Sequence, residues 1–333
     1  MPRTSYYKSY LDGWRGLAIL CVLYSHFLSI GNTRWIGSFG VDLFFVLSGF
    51  LMAEILFIRK QRLKIFFIRR ISRIAPVFVI YVGVAFTISK VIPFQNYQIT
   101  SHELLSTLAF LRSYYPVSPS IWQANWSIGH LWSLNIEEHT YMFLAALAYL
   151  TKYTAKNTVI KLLIFSIMVT FIFRFMYASD FIIPGSDFTL YSHVAGYAIM
   201  VPVTFRLLVD WKYDFLVADS TKQSMSIFCF VSAIIVSSPL VEKPILAPCF
   251  LAISICYFEH NSSLIKRVLS INVFKIFGKA AFSLYLWQQI FYDNFDNAIV
   301  GLCLALITGF MCYLLVENPL RLYINRKYGN SSN

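Results

Sequence analysis

The sequence predicts an all-α fold, a polytopic bundle of about ten transmembrane helices with both termini in the cytoplasm. Of its 333 residues, 58% are hydrophobic and only 13% are charged, whereas soluble domains carry about 25% charged residues. Apolar segments of about 20 residues, the length that crosses a bilayer, recur along the chain. The 31 Phe, 21 Tyr and 7 Trp exclude a disordered chain, which has few aromatic residues.

Ten apolar segments are suitable for helices in the membrane. They lie near residues 14–31, 36–58, 74–92, 130–150, 158–176, 188–208, 224–239, 244–258, 277–293 and 298–317. No repeat, linker or low-complexity stretch divides the chain, so we expect a single integral-membrane domain over residues 1–333. Its membrane core would cover about 10–318, followed by a short cytoplasmic tail at 319–333.

The positive charges predict the side of the membrane that each loop faces. With both termini inside, 23 of the 28 Lys and Arg residues face the cytoplasm, seven of them between Arg59 and Arg73, as the positive-inside rule requires. The net charge of +12 therefore orients the protein in the bilayer. We expect no nucleic-acid partner.

Inserting a charged side chain into the centre of a membrane helix costs about 2.5–3.5 kcal/mol. Titratable side chains inside apolar helices therefore indicate function. The first helix carries Arg15 and His26, eleven residues apart, which predicts one shared helix face and a separation of about 16 Å along the axis. Histidine is the natural proton acceptor at neutral pH. The alternative for His26 is a buried structural histidine that is hydrogen-bonded to a neighbouring hydroxyl or carbonyl group.

Two acidic residues are predicted to approach His26. Asp42 in the second helix lies at the same depth, about 8 Å below the outer boundary. Glu137 in the fourth helix shares a face with His130 and lies about 12 Å from the outer side, near enough to face the same cavity. A pairing of Asp42 with the imidazole would orient the ring and raise its basicity.

Arginines gather at the predicted inner rim. Arg70 and Arg73 lie three residues apart at the start of the third helix and share a face. Arginine suits bidentate phosphate binding, although anionic lipid headgroups are an equally good ligand for this stretch. Because Arg15 lies at the same depth, the three arginines and the His26 region together describe a path through the membrane.

The long outer loop at 93–129 carries several aromatic residues, including Trp122 and Trp126. Tyrosine and tryptophan prefer the membrane interface, so an interfacial belt is the first interpretation. The functional interpretation is a platform of flat rings for a substrate that arrives from outside, such as a sugar.

Five motifs follow one another along nearly the whole chain. They are Asp12-Gly-x-Arg15-x10-His26, Gly40-x-Asp42-x-Phe-Phe-x-x-Ser48-Gly49, Arg70-x-x-Arg73-x-x-Pro76, Trp132-Ser133-Leu-x-x-Glu137 and Phe282-Ser-Leu-Tyr-Leu-Trp287. In these motifs the chain resembles the acyltransferase-3 family of integral-membrane acyltransferases, which includes bacterial O-antigen and surface-polysaccharide O-acetyltransferases. One departure is Gln288, where many relatives have histidine, and it argues against a direct chemical role at that position.

The resemblance implies an O-acyltransferase of the bacterial inner membrane. It would move an acyl group, in the first instance acetyl, from cytoplasmic acyl-CoA to a hydroxyl group of a cell-surface polysaccharide or its lipid-linked precursor. The residues expected to bind the phosphates of acetyl-CoA are Arg15, Arg70 and Arg73. No metal is expected, because neither HExxH nor CxxC spacing occurs.

The resemblance also implies roles at the acceptor side. His26 would take the proton of the attacking hydroxyl group or be acylated itself, and Asp42 or Glu137 would orient it. The residues expected to contact the acceptor glycan are Trp122, Trp126, Trp132 and Ser133.

Two other classes of function stay open at this point. A proton-coupled transporter or flippase also uses buried histidine and carboxylate groups, but it has no special need for the inner arginines, and no internal repeat is evident. A structural membrane partner would leave Asp42, Glu137 and Glu138 unexplained.

Overall fold

The computed structural model describes residues 9–92, 98–118, 121, 127–182, 187–213, 218–241, 244–258 and 263–328. Every regular element in these residues is helical, which confirms the all-α class. The α-helices are α1 (Ser9–Leu23), α2 (Trp35–Met52), α3 (Leu63–Val91), α4 (Ser101–Leu108), α5 (Trp132–Leu150), α6 (Lys156–Ala178), α7 (Ser192–Ala195), α8 (Tyr197–Leu208), α9 (Asp219–Ser237), α10 (Ala247–Cys256), α11 (Ser263–Leu269), α12 (Asn272–Asn294), α13 (Ala298–Cys312) and α14 (Asn318–Tyr328).

A helix occupies each of the ten segments that were expected to lie in the membrane. Six helical stretches are long and apolar enough to cross a bilayer, namely Trp35–Ile58, Leu63–Val91, Lys156–Ala178, Ser192–Trp211, Asp219–Ser237 and Ala298–Tyr328. Helices α1, α5 and α12 are outside this set, and polar or charged side chains interrupt their apolar sequences. The number of crossings and the side that each terminus faces stay predictions.

Helices α1 and α12 approach each other closely at glycine residues. Gly16 of α1 faces the backbone carbonyl of Phe274, and Gly278 of α12 faces that of Asp12. A Cβ at either glycine would overlap the facing carbonyl group, so only glycine permits this approach. The contact brings the end of α1, with His26, against the second half of α12.

His26 lies in a π-helical turn, Tyr24–Leu28, that follows α1 directly. A π-helical turn is closed by an i→i+5 hydrogen bond, so it shifts the residues that follow by about one position relative to a regular α-helix. The single face predicted for Arg15 and His26 assumed an uninterrupted α-helix. In the structure these two residues line different cavities.

The segment that leads away from α3 is anchored by a buried ion pair. Thr100 and Glu103 form a capping box at the start of α4. Arg112 Nη2 also donates to Glu103 Oε1 at 2.9 Å, with both side chains almost fully buried. The predicted aromatic platform residues Trp122 and Trp126 lie outside the described residues.

Candidate active site

Two of the cavities in the described part of the bundle divide the predicted site residues between them. The larger has a volume of about 870 Å³ and is lined by His26 and Asp42; we call it the histidine cavity. The smaller has a volume of about 330 Å³ and is lined by Arg15, Arg70 and Arg73; we call it the arginine cavity.

The three arginines that were predicted to act together do meet in the arginine cavity, and Arg69 joins them. Arg15 is paired with Asp12, whose Oδ1 lies 3.1 Å from its Nη1. Arg73 makes no hydrogen bond within the part of the chain that the structure describes. Four arginines and one glutamate therefore line this cavity, and the excess positive charge suits an anionic ligand.

Arg70 is the arginine whose charge is already balanced. Its Nε and Nη2 donate to Glu138 Oε1 at 3.0 and 2.6 Å, and Nη2 also lies 3.4 Å from Glu137 Oε2. The guanidinium group lies 3.5 Å from the centroid of the Tyr141 ring, a cation–π contact. Only 15% of the Arg70 side chain and 18% of each glutamate are exposed.

Glu137 does not approach His26, contrary to the expectation from its depth in the helix. It lines the arginine cavity, where it accepts a hydrogen bond from Ser48 Oγ at 3.0 Å and faces Arg70. Position along a helix predicts the depth of a residue but not its lateral neighbour. The Arg70 charge holds the Glu137 carboxylate on this side of the bundle.

His26 is held by α12 and not by a carboxylate. Its Nδ1 lies 2.6 Å from Gln288 Oε1, and the Tyr292 ring stacks on the imidazole with centroids 4.5 Å apart. Asp42 lines the same cavity but forms no hydrogen bond with His26. The hydrogen-bond partner of the ring is therefore Gln288, which corrects the expectation that Asp42 or Glu137 orients it. The physical reason is the glycine contact between α1 and α12. The expectation that position 288 has no direct chemical role stays a prediction.

A thin wall separates the two cavities. It is formed by Val41, Phe45 and Tyr285, which line both cavities. Each of these side chains therefore contacts the histidine cavity on one side and the arginine cavity on the other. The Tyr285 hydroxyl donates to the backbone carbonyl of His130 at 2.8 Å and lies 2.7 Å from Ser133 Oγ. These hydrogen bonds hold the phenol ring in the wall.

The two expected glycan contacts that the structure describes lie on opposite sides of this wall. Trp132 lines the histidine cavity and packs against Phe45 with ring centroids 6.0 Å apart. Ser133 lines the arginine cavity. Consecutive residues of an α-helix point about 100° apart, which explains the split at the start of α5. Only Trp132 is therefore placed to contact a ligand beside His26.

The motif at 282–287 in α12 connects the elements around both cavities. Ser283 donates to the buried Glu317 carboxylate at 2.6 Å. Trp287 packs against Tyr81 with ring centroids 5.4 Å apart, and Tyr285 contributes to the wall. The motif thus joins α12 to α3, α5 and the turn after α13.

Several residues of the histidine cavity were not singled out in the sequence. Arg34, Arg174 and Asp187 bring charge to its lining, and Gln289 and Asp293 bring further polar groups. The only signal for the last two is that they follow the motif at 282–287 within two helical turns.

Comparison with known proteins gives a family for this arrangement. Residues 8–317 match the acyltransferase-3 family model, which is described as an acyltransferase domain. "Putative O-acetyltransferase SAS0844" of Staphylococcus aureus strain MSSA476 is 26% identical over 353 residues, covering 95% of this chain and 57% of that protein. "O-acetyltransferase OatA" of strain NCTC 8325 / PS 47 is 23% identical over 354 residues, covering 93% and 57%.

The chain thus spans little more than half the length of these relatives. No solved structure matches it. Its apolar helices make it a multi-pass membrane protein. Because the family model covers residues 8–317 and thus all of the residues that carry the five motifs, the chain belongs to the acyltransferase-3 family.

Proposed function

We propose that the protein is a membrane-bound O-acetyltransferase that moves an acetyl group from acetyl-CoA to a hydroxyl group of a surface polysaccharide or its lipid-linked precursor. The observation that carries this proposal is the pair of cavities on either side of one wall. One is rich in arginine and suits a phosphorylated donor, and the other holds an imidazole and suits a hydroxyl acceptor. The names of the relatives, as O-acetyltransferases, support acetyl as the group and oxygen as its acceptor.

The donor side rests on the arginines. Arg15, Arg70 and Arg73 would bind the phosphates of acetyl-CoA, since guanidinium groups form strong paired hydrogen bonds with phosphate. Arg73 is the best placed, because it forms no hydrogen bond with a described residue and interacts with the Glu317 carboxylate only through its charge. Arg70 has only its Nη1 free of the two glutamates, so it would contribute less to donor binding and more to holding Glu137 and Glu138.

The acceptor side rests on the histidine cavity. Carboxylate and amide oxygens accept hydrogen bonds from sugar hydroxyl groups, and Asp42, Asp187 and Gln289 supply them. Trp132 offers a flat apolar surface for a sugar ring. With about 870 Å³, the cavity is the larger of the two and lies within the range typical of ligand sites, about 300–1,000 Å³.

The chemistry would centre on His26. A ring nitrogen takes the proton of the acceptor hydroxyl while its oxygen attacks the thioester carbonyl carbon; the C–S bond breaks, and the coenzyme thiolate receives the proton from the imidazolium. General base catalysis of this kind contributes about 10²–10⁴-fold in rate. In the alternative order, His26 is acylated first and then passes the acetyl group to the hydroxyl oxygen. In both, the thioester has to pass the wall formed by Val41, Phe45 and Tyr285.

The location is part of the proposal. We place the protein in a bacterial inner membrane, since the relatives named above are bacterial. With the positive loops inside, the arginine cavity would open toward cytoplasmic acetyl-CoA and the histidine cavity toward the acceptor.

Mass spectrometry of the host's surface polysaccharide tests the function. Cells lacking the gene, cells with the wild-type gene and cells with His26→Ala are compared at equal membrane abundance of the protein. We expect a mass gain of one acetyl group per modified repeat with the wild type and none with His26→Ala. The matched control is His102→Ala, which removes an exposed histidine of α4 and should keep the wild-type pattern. Full acetylation with His26→Ala would overturn the mechanism.

Two cavities on either side of a thin wall also suit a carrier that moves a substrate across the membrane. The same purified protein in lipid nanodiscs separates the two functions. When acetyl-CoA and the host's acceptor polysaccharide are both supplied, a transferase moves the acetyl group to the polysaccharide and releases free coenzyme thiol, and the release depends on His26. A carrier releases none, and a glycan that is unchanged in all strains would then favour it.

A further inference from the structure

A line of three hydrogen bonds leads from His26 to a carboxylate on the same cavity wall. His26 Nδ1 lies 2.6 Å from Gln288 Oε1. Gln288 Nε2 then donates to Gln289 Oε1 at 3.2 Å, and Gln289 Nε2 donates to Asp293 Oδ1 at 2.8 Å. Neither glutamine nor Asp293 belongs to the five sequence motifs.

The carboxylate at the end determines the direction of every bond in this line. An ionised carboxylate only accepts hydrogen bonds, so the Gln289 side chain has to present its NH₂ group to Asp293. Its oxygen then faces Gln288, whose own NH₂ group has to point back at it. The Gln288 oxygen is consequently the atom that faces His26.

The direction of the line selects one tautomer of the imidazole. Because Gln288 presents an oxygen, the neighbouring Nδ1 of His26 has to carry the proton. The proton-free nitrogen of the neutral ring is then Nε2, which has no hydrogen bond to any described residue. Nε2 is the atom that would accept the proton of an acceptor hydroxyl group.

The surroundings protect this arrangement from reversal. Gln288 is fully buried, so water cannot offer its amide group another set of partners. Gln289 and Asp293 are four residues apart in α12 and therefore lie on one helix face. Tyr292 stacks on His26 with an interplanar angle of 18°. The stacking restricts the tilt of the imidazole plane, and the hydrogen bond from Nδ1 to Gln288 restricts its rotation within that plane.

The other charged and titratable groups of the cavity do not replace the line. They are Arg34, Asp42, His130, Arg174, Asp187, Tyr197 and Tyr285. Each lines the histidine cavity, but none forms a hydrogen bond with the His26 ring. Gln288 is the one described side chain that does.

We propose that Asp293 is a positioning residue that acts through Gln289 and Gln288 to hold the proton of His26 on Nδ1 and so to keep Nε2 free as the base. Asp293 thereby takes the place that a directly bonded carboxylate has in a Ser–His–Asp triad. The consequence for catalysis rests on the proposed function, whereas the tautomer itself does not.

The tautomer is measured by ¹⁵N NMR of the full chain in lipid nanodiscs, with labelled histidine. The His26 signals are assigned by their loss in His26→Gln. We expect the wild type to hold the proton on Nδ1. In Asp293→Asn the terminal amide can face either way, so we expect a mixture of both tautomers. The matched control is Asp296→Asn, which removes an exposed carboxylate just after the end of α12 and should leave the wild-type spectrum.

A rescue variant separates positioning from a general loss of structure. Gln288→Glu, made in the Asp293→Asn background, places a carboxylate directly at His26 Nδ1. It should restore the single tautomer without Asp293. A wild-type tautomer in Asp293→Asn would overturn the proposal, and so would a mixture that Gln288→Glu leaves unchanged.

Turnover adds a second readout. We expect Asp293→Asn to lower kcat by roughly 10- to 100-fold with little change in KM for acetyl-CoA, because the roughly 10⁴-fold loss in a directly bonded triad is weakened by two intervening amides. If the tautomer shifts but the wild type releases no thiol from acetyl-CoA, the proposed function fails and the positioning role stands. If the wild type is active and Asp293→Asn changes neither tautomer nor kcat, the positioning role fails alone.

Discussion

Arg73 and Arg70 lie one helical turn apart in the same cavity. Replacing Arg73 by glutamine should mainly weaken binding of acetyl-CoA, whereas replacing Arg70 should mainly lower the stability of the protein. Arg73 has no hydrogen bond to a described residue, so its donors are free for the coenzyme. A hydrogen bond to a charged group contributes about 1.5–3 kcal/mol, and about 1.4 kcal/mol corresponds to a tenfold change in affinity. Arg73→Gln should therefore raise the Kd for acetyl-CoA by about 10- to 100-fold. It should lower stability less than Arg70→Gln does, because Arg73 interacts with the buried Glu317 carboxylate without a hydrogen bond.

Arg70→Gln should act mainly on stability. It leaves the carboxylates of Glu137 and Glu138 without the cation that they share. Breaking a buried ion pair by removing one partner costs about 3–5 kcal/mol, and the low end applies here because each glutamate keeps 18% of its side chain exposed. The Kd for acetyl-CoA should change less than in Arg73→Gln.

Both effects are measured on purified protein in nanodiscs. Binding of radiolabelled acetyl-CoA gives the Kd, and thermal unfolding gives the stability. Arg62→Gln is the matched control, since it removes an exposed arginine just before α3 and should change neither quantity. An unchanged Kd in Arg73→Gln, or an equal rise in both variants, would refute the argument that pairing with glutamate decides which arginine binds the donor.

Three further substitutions test the packing around the site, each by thermal or denaturant unfolding. Gly40→Ala would place a Cβ 2.6 Å from the Ala18 carbonyl oxygen and should destabilise by about 1–3 kcal/mol through overpacking; a wild-type melting temperature would contradict the close contact of α1 and α2. Glu103→Gln should cost about 3–5 kcal/mol, because Arg112 is left buried without its carboxylate. Tyr285→Phe removes two hydrogen bonds at about 0.5–1.5 kcal/mol each but keeps the ring in the wall, so stability should fall while thiol release from acetyl-CoA persists. Loss of release at full stability would mean that the hydroxyl takes part in the chemistry.

Residues that depend only on local geometry were predicted well. Arg70 and Arg73 share a face because they are three residues apart in one continuous helix, and the structure brings both into one cavity with Arg15. His26 was singled out because a titratable side chain in an apolar helix is costly. The structure places it in the wall of the larger cavity, although its catalytic role stays a proposal.

Predictions across helices were less successful. Asp42 and Glu137 were expected at His26 from equal depth alone, but depth does not specify the rotation of a helix or its lateral neighbour. Glu137 faces Arg70, and the close approach of α1 and α12 places His26 beside α12. The partner that it finds there, Gln288, had been set aside because its residue type differs from that of many relatives.

The sequence by itself therefore determined the class of protein, the positions of the helices and the family, because composition, apolar length and motif order are properties of the chain alone. The tertiary structure decided the partner of His26, the division of the site into two cavities and the line of hydrogen bonds to Asp293. These depend on contacts between residues far apart in sequence. Backbone approach at Gly16 and Gly278 sets which faces meet, and no periodicity within a single helix encodes it.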